Sequence, residues 1–118
     1  MLKAAVVVLV DTQTHEQTAR VGNALATAHE FKEAGDEVDL IFTWAGTKWI
    51  GELSNPDHWL HRAFNLVEDE VAGACWACAV ACGVKKEVEA SGIALLAEYK
   101  GHQSLRERVP QGYQVITF

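Results

Sequence analysis

The unbroken apolar run Ala4-Ala5-Val6-Val7-Val8-Leu9-Val10 does most to limit what this chain can become. Its residues are small, β-branched or aliphatic, with none of the alternation shown by a strand that has one wet face. A strand of this kind, predicted over Lys3 to Val10, is covered on both sides and belongs in a parallel sheet. It is too short to span a bilayer, and the polar loop Asp11-Thr12-Gln13-Thr14-His15-Glu16 follows with several candidate helix caps.

The rest of the chain alternates in the way a parallel sheet requires. Glu16 to Ala34 reads as a helix with Val21, Leu25, Ala28 and Phe31 near one face, stopped by Gly35. Val38 to Trp44 reads as the second strand, and Ala45 to Ser54 as a loop. Asn55-Pro56 has the form of a cap and first turn, opening a helix with the stripe Leu60, Ala63, Phe64, Val67. A short third strand, Val71 to Ala74, ends at Cys75, and a helix is predicted from there towards Ala90, with Gly92 as its stop. Ile93 to Leu96 reads as a fourth strand, Ser104 to Val109 as a helix ended by Pro110, and Tyr113 to Phe118 as a closing strand. Strands alternating with helices indicate a single α/β domain over residues 1–118, with a mainly parallel sheet of about five strands. Right-handed crossovers are expected to distribute helices over both faces. Ligands of such sheets gather beyond the carboxyl ends of the strands, which puts Asp11, Thr12, Trp44 and Cys75 on one rim and leads us to expect an accessible cysteine cluster.

All three cysteines fall in Ala72-Gly73-Ala74-Cys75-Trp76-Ala77-Cys78-Ala79-Val80-Ala81-Cys82-Gly83. On one continuous helix Cys75, Cys78 and Cys82 lie at i, i+3 and i+7, along one face. The first would meet the backbone amides and positive dipole end of the helix, which favour a thiolate. Cys78 is spaced to resolve a persulfide or sulfenic acid on Cys75 as a Cys-x-x-Cys disulfide. A packed apolar thiol is the simpler reading, and for Cys82 the preferred one. Three thiolates on one face also suggest zinc or an iron–sulfur cluster through Cys75, Cys78 and Cys82, with His15 as a conceivable fourth ligand. No cofactor is otherwise indicated.

The chain resembles the DsrE/TusD-like family of small sulfur-handling proteins. The resemblance rests on the apolar N-terminal strand, polar loop and long helix ending in Gly35. It rests also on Ala74-Cys75 followed by Gly83-Val84, and on the closing strand Tyr113 to Phe118. Cys75 matches the family's active cysteine, and Cys78 a second cysteine found in some members. The resemblance implies a flavodoxin-like three-layer α/β/α sandwich that assembles into dimers, trimers or hexamers. It also implies a cysteine that accepts sulfane sulfur as a persulfide and passes it to a partner protein. Trp76 beside Cys75, Cys82, and the acidic flank Glu68-Asp69-Glu70 depart from the TusD pattern.

His15, with Asp11 and Glu16, is a candidate proton-transfer partner for Cys75, and Trp76 a candidate shield for its sulfur or a subunit contact. His58 and His61 have metal-pair spacing but read equally well as an exposed polar face; His29 and His102 have no special context. A net charge of −6 argues against a nucleic-acid binder, and the glycines match no phosphate-cradling fingerprint. Reduced thiols without a visible export signal suggest the cytoplasm. The leading expectation is a sulfur carrier or thiol-redox protein using Cys75 and Cys78, with no membrane partner. The alternatives are a non-catalytic oligomeric protein that binds a small ligand or partner at its rim, and the metal or cluster binder.

Overall fold

The computed structural model describes all residues, Met1–Phe118. Its centre is a five-stranded sheet of β1 (Lys3–Val8), β2 (Glu37–Phe42), β3 (Val71–Cys75), β4 (Leu95–Leu96) and β5 (Gln114–Thr117). The spatial order is β4-β3-β2-β1-β5, and every pairing is parallel. The expected α/β sandwich is the fold. Residues Ala4 to Val8 are at most 1% exposed, as their unbroken apolar character demands.

Five helices accompany the sheet: α1 (His15–Glu33), α2 (Trp49–Ser54), α3 (His61–Asn65), α4 (Trp76–Ala81) and α5 (Lys85–Ser91). Thr14 caps α1 through a reciprocal capping box with Gln17. The expectation of helices on both faces is corrected: the helices gather on one face. Their buried side chains, among them Val21, Leu25, Trp49, Ile50, Leu53, Phe64 and Val88, form one cluster with Ala4, Val6, Val8, Leu40 and Phe42. Strand order explains the segregation: β1 to β4 step in one direction, so right-handed crossovers all fall on the same side. The step from β4 to β5 reverses across the whole sheet, and its connection closes the opposite face, where Asp39 and Ile41 stand beside Ala5 and Val7. That connection holds no α-helix, only a 3-10 turn at Val109–Gln111.

Four local expectations are corrected. Ala45 to Ser54 is helical, not a loop: a 3-10 turn at Trp44–Lys48 runs into α2, which buries Trp49, Ile50 and Leu53. The Trp49 indole N–H donates to the Val10 carbonyl at 3.0 Å. Asn55 ends α2 instead of opening a helix; its side chain accepts the Asp57 amide in a local turn, and α3 begins only at His61. The cysteine-bearing helix stops at Ala81, because Gly83 adopts φ +71° and redirects the chain before α5. Ser104 to Val109 forms turns, not a helix. The Ser104 hydroxyl accepts the Glu107 amide at 3.1 Å, and Arg108 is drawn inward.

Arg108 is the anchor of the second face. Only 6% exposed, it donates from Nε to Asp39 at 2.7 Å and from its terminal nitrogens to Glu98 at 2.9 and 3.3 Å. Burial works against its charge, but Glu98 and Asp39 outweigh that and hold its proton more firmly than usual. Burial likewise tends to raise the Glu98 carboxyl; Arg108 and the Ser104 amide overcome it and leave Glu98 below the usual range.

Candidate functional site

β3 ends at Cys75, which serves as the cap of α4: its sulfur accepts the Cys78 amide at 3.4 Å. The strand-to-helix junction expected from sequence is therefore present. What lies against it was not expected. His102, on the β4–β5 crossover, brings Nδ1 to 3.4 Å from the Cys75 sulfur and 4.0 Å from that of Cys78. The donor atoms of Cys75, Cys78 and His102 all lie within 4.8 Å of one another. His102 is fixed from behind by reciprocal backbone hydrogen bonds with Tyr99, both 2.8 Å. The Trp44 ring leans beside its imidazole with centroids 6.4 Å apart.

Thr43, buried at the end of β2, completes the cluster. Its hydroxyl donates to the Gln103 side chain at 3.0 Å and lies 3.6 Å from the Cys78 sulfur. Burial pushes the Cys78 thiol up from its ordinary value, the neighbouring Cys75 adds to the rise, and Thr43 opposes it.

The cysteines are not open to solvent as expected: Cys75 is 0% and Cys78 1% exposed. The crossover folds over the strand ends, with the Ala77 amide donating to the Gly101 carbonyl at 2.9 Å and the half-buried His102 standing over the sulfurs. Gly101 adopts φ +84°, and a β-carbon there would lie 3.4 Å from the Trp76 ring. The left-handed backbone there is what favours glycine at this turn.

Cys82 does not join the cluster. The break after α4 makes it a helix C-cap, and its thiol donates to the Trp44 carbonyl at 3.5 Å. The metal-ligand types that come together are Cys75, Cys78 and His102, without Cys82. His15 is exposed at the start of α1, and Asp11 turns to Lys48 at 3.2 Å and to the Thr12 amide at 2.7 Å. The amide of Thr12 and then Lys48 hold the Asp11 carboxyl below its usual range. Neither His15, Asp11 nor Thr12 bonds to a cysteine; the histidine that lies against the sulfurs is His102. Trp44 and Trp76 do border the site, 58% and 41% exposed, with Lys85 poised 6.0 Å over the Trp76 ring. His102, Thr43 and Gln103 escaped the sequence reading. The available signal was position: Gly101-His102-Gln103 follows β4 and must cross the same strand ends that carry Cys75.

No helix is long and apolar enough to cross a membrane. A scan against models of known families finds no match. The fold is similar to that of a conserved protein of unknown function, BT1422 from Bacteroides thetaiotaomicron, with a TM-score of 0.64 over 97% of this chain and 94% of that one at 16% identity. In sequence, the chain is 34% identical over 94 residues to uncharacterized protein MJ0733 of Methanocaldococcus jannaschii, an alignment covering 80% of this chain and 76% of that protein. By that likeness the chain belongs to the family of MJ0733.

Proposed function

We propose that the protein is a sulfur carrier with thiol-redox capacity, in which Cys75 accepts sulfane sulfur as a persulfide. The observation that carries this reading is the placement of the Cys75 sulfur between a backbone donor, the Cys78 amide, and a proton acceptor, His102 Nδ1, each at 3.4 Å. Proximity of base and nucleophile is what thiol attack requires. Its likeness to DsrE/TusD-like carriers supports the same chemistry.

The step balances as an exchange. The Cys75 proton passes to His102, and the sulfur attacks the outer sulfur of a donor persulfide. The donor's S–S bond breaks, its thiolate leaves with the proton held by His102, and Cys75 is left as a persulfide. An acceptor thiolate attacking the new outer sulfur reverses the process and frees Cys75. Alternatively the Cys78 thiol attacks the Cys75 sulfur, forming a disulfide and expelling hydrosulfide; the two thiols are oxidised as the sulfane sulfur is reduced. Because both sulfurs are buried, His102 and the adjoining Trp44 must swing outward for a donor to enter.

This reading includes homo-oligomeric assembly, protein or small-molecule persulfides as donors, and a reducing, cytoplasmic setting in which Cys75 and Cys78 stay free. Intact mass spectrometry after incubation with a persulfide donor tests it. Wild type gains one sulfur, Cys75→Ser gains none, and His102→Ala gains it roughly 10²-fold more slowly. Wild type that gains no sulfur, or Cys75→Ser that gains it normally, removes the proposal.

A further inference from the structure

Beyond sulfur transfer, we infer that the reduced protein binds one zinc ion through Cys75, Cys78 and His102. With zinc–sulfur and zinc–nitrogen bonds of about 2.3 and 2.0–2.1 Å, tetrahedral ligation sets sulfurs about 3.8 Å apart and sulfur about 3.6 Å from nitrogen. The two sulfur–nitrogen separations here, 3.4 and 4.0 Å, bracket that value, and all three donor atoms fall within 4.8 Å of one another. Small side-chain rotations close the set around an ion.

Three further features favour zinc. Two thiolates and a neutral imidazole cancel the charge of a divalent ion, and a neutral complex is the kind a buried site tolerates. No lysine or arginine hydrogen-bonds to the donors, so the ion meets no competing cation. The Cys78 amide donates to the Cys75 sulfur, and the Thr43 hydroxyl, held by Gln103, lies 3.6 Å from the Cys78 sulfur, the kind of outer support that fixes metal ligands. Binding exchanges two thiol protons for one zinc ion, with the protons released to solvent and no change of oxidation state. Three protein ligands leave a fourth position for water or an incoming thiolate. The fourth donor is not Cys82, which is turned to the Trp44 carbonyl.

Zinc and sulfane sulfur would occupy the same atoms, so each excludes the other, and the metal shields the thiols from oxidation. The reduced full-length protein is titrated with zinc against a chromophoric chelator, and with cobalt(II) as a coloured substitute. Wild type and Cys82→Ser are expected to take one ion per chain, with thiolate-to-cobalt charge-transfer absorption. Cys75→Ser and Cys78→Ser lose stoichiometric uptake, and His102→Ala weakens it at least about 10-fold and alters the cobalt spectrum, as loss of one ligand from a three-ligand set demands. Circular dichroism verifies that each variant is folded, and His102→Gln replaces the alanine variant if that one is not.

The inference is overturned if wild type takes up no stoichiometric metal, if Cys78→Ser or the histidine variant binds like wild type, or if Cys82→Ser loses the ion. Sulfur loading is measured on the metal-free protein, which separates the two readings. A protein that binds zinc but never gains sulfur retires only the carrier function. One that gains sulfur but never binds zinc retires only the metal site.

Discussion

The two faces of the sheet are closed by different physics. On one, five helices bury an aliphatic and aromatic cluster around Val6, Leu25, Trp49 and Phe64. On the other, an irregular crossover is pinned by Arg108 between Asp39 and Glu98. The candidate site joins the two: Cys75 and Cys78 come from the junction of β3 and α4, and His102 and Gln103 from the crossover. Stability resides mainly in the first layer, because apolar burial is the larger contribution, whereas the relative position of thiols and imidazole depends on the second. Damage to each layer should therefore read out differently.

The largest expected effect is on the helical side. Phe64 is 1% exposed and packs edge-on against Phe42 with ring centroids 6.3 Å apart. Phe64→Ala should cost about 3–5 kcal/mol by lost burial and the cavity left behind. Chemical denaturation should show a lower midpoint, while whatever fraction remains folded loads sulfur on Cys75 at the wild-type rate. A loading defect as large as the stability defect would mean that the layers are not separable in this way.

Arg108→Met attacks the crossover. Removing one member of a buried ion-pair cluster strands its partners, but Asp39 and Glu98 retain 25% and 27% side-chain exposure, so the cost is discounted to about 2 kcal/mol. The local effect should be larger than the global one. Amide exchange at Tyr99 and His102, whose backbones bond only to each other across that turn, should quicken before the helices open. Sulfur loading should slow together with it.

Acid offers a gentler way to loosen the same layer. Glu98 has a depressed carboxyl pKa in the folded protein, so its contribution is fully present above the unfolded value of about 4.3 and disappears as pH falls through the folded one. Between neutral pH and that range, wild-type thermal stability should hold, then decline. Glu98→Gln, lower at neutral pH, should decline less steeply. Parallel acid profiles for the two proteins would show that this pair does not couple the crossover to pH.

The same division separates what could be read from the sequence from what could not. The apolar N-terminal run, the α1 stripe and the Cys75 junction were readable because each is a local pattern: periodicity, capping, a strand meeting a helix. The Asn55-Pro56 helix was misread because its cap signal matches that of a turn, and the cysteine helix because Gly83 could sit in a helix or end one. His102 had no local signal at all. Its role arises from a crossover that spans the whole sheet, and only strand order brings it back to Cys75. Arg108 was hidden for the same reason: a helix was predicted where a buried guanidinium holds the backbone in turns.

Cys82 provides the smallest effect and the sharpest control on the boundary between the layers. It lies close in sequence to Cys78, yet the turn at Gly83 assigns it to the end of α4, where a single 3.5 Å contact joins its thiol to the Trp44 carbonyl. Cys82→Ser keeps a donor for that carbonyl and should change stability by less than about 0.5 kcal/mol. Sulfur gain on Cys75 should be unaltered in mass spectra. A serine variant that loses sulfur loading while remaining folded would move the working cluster from Cys75, Cys78 and His102 back onto the helix face. It would also make the crossover a cover for the site and no longer a part of it.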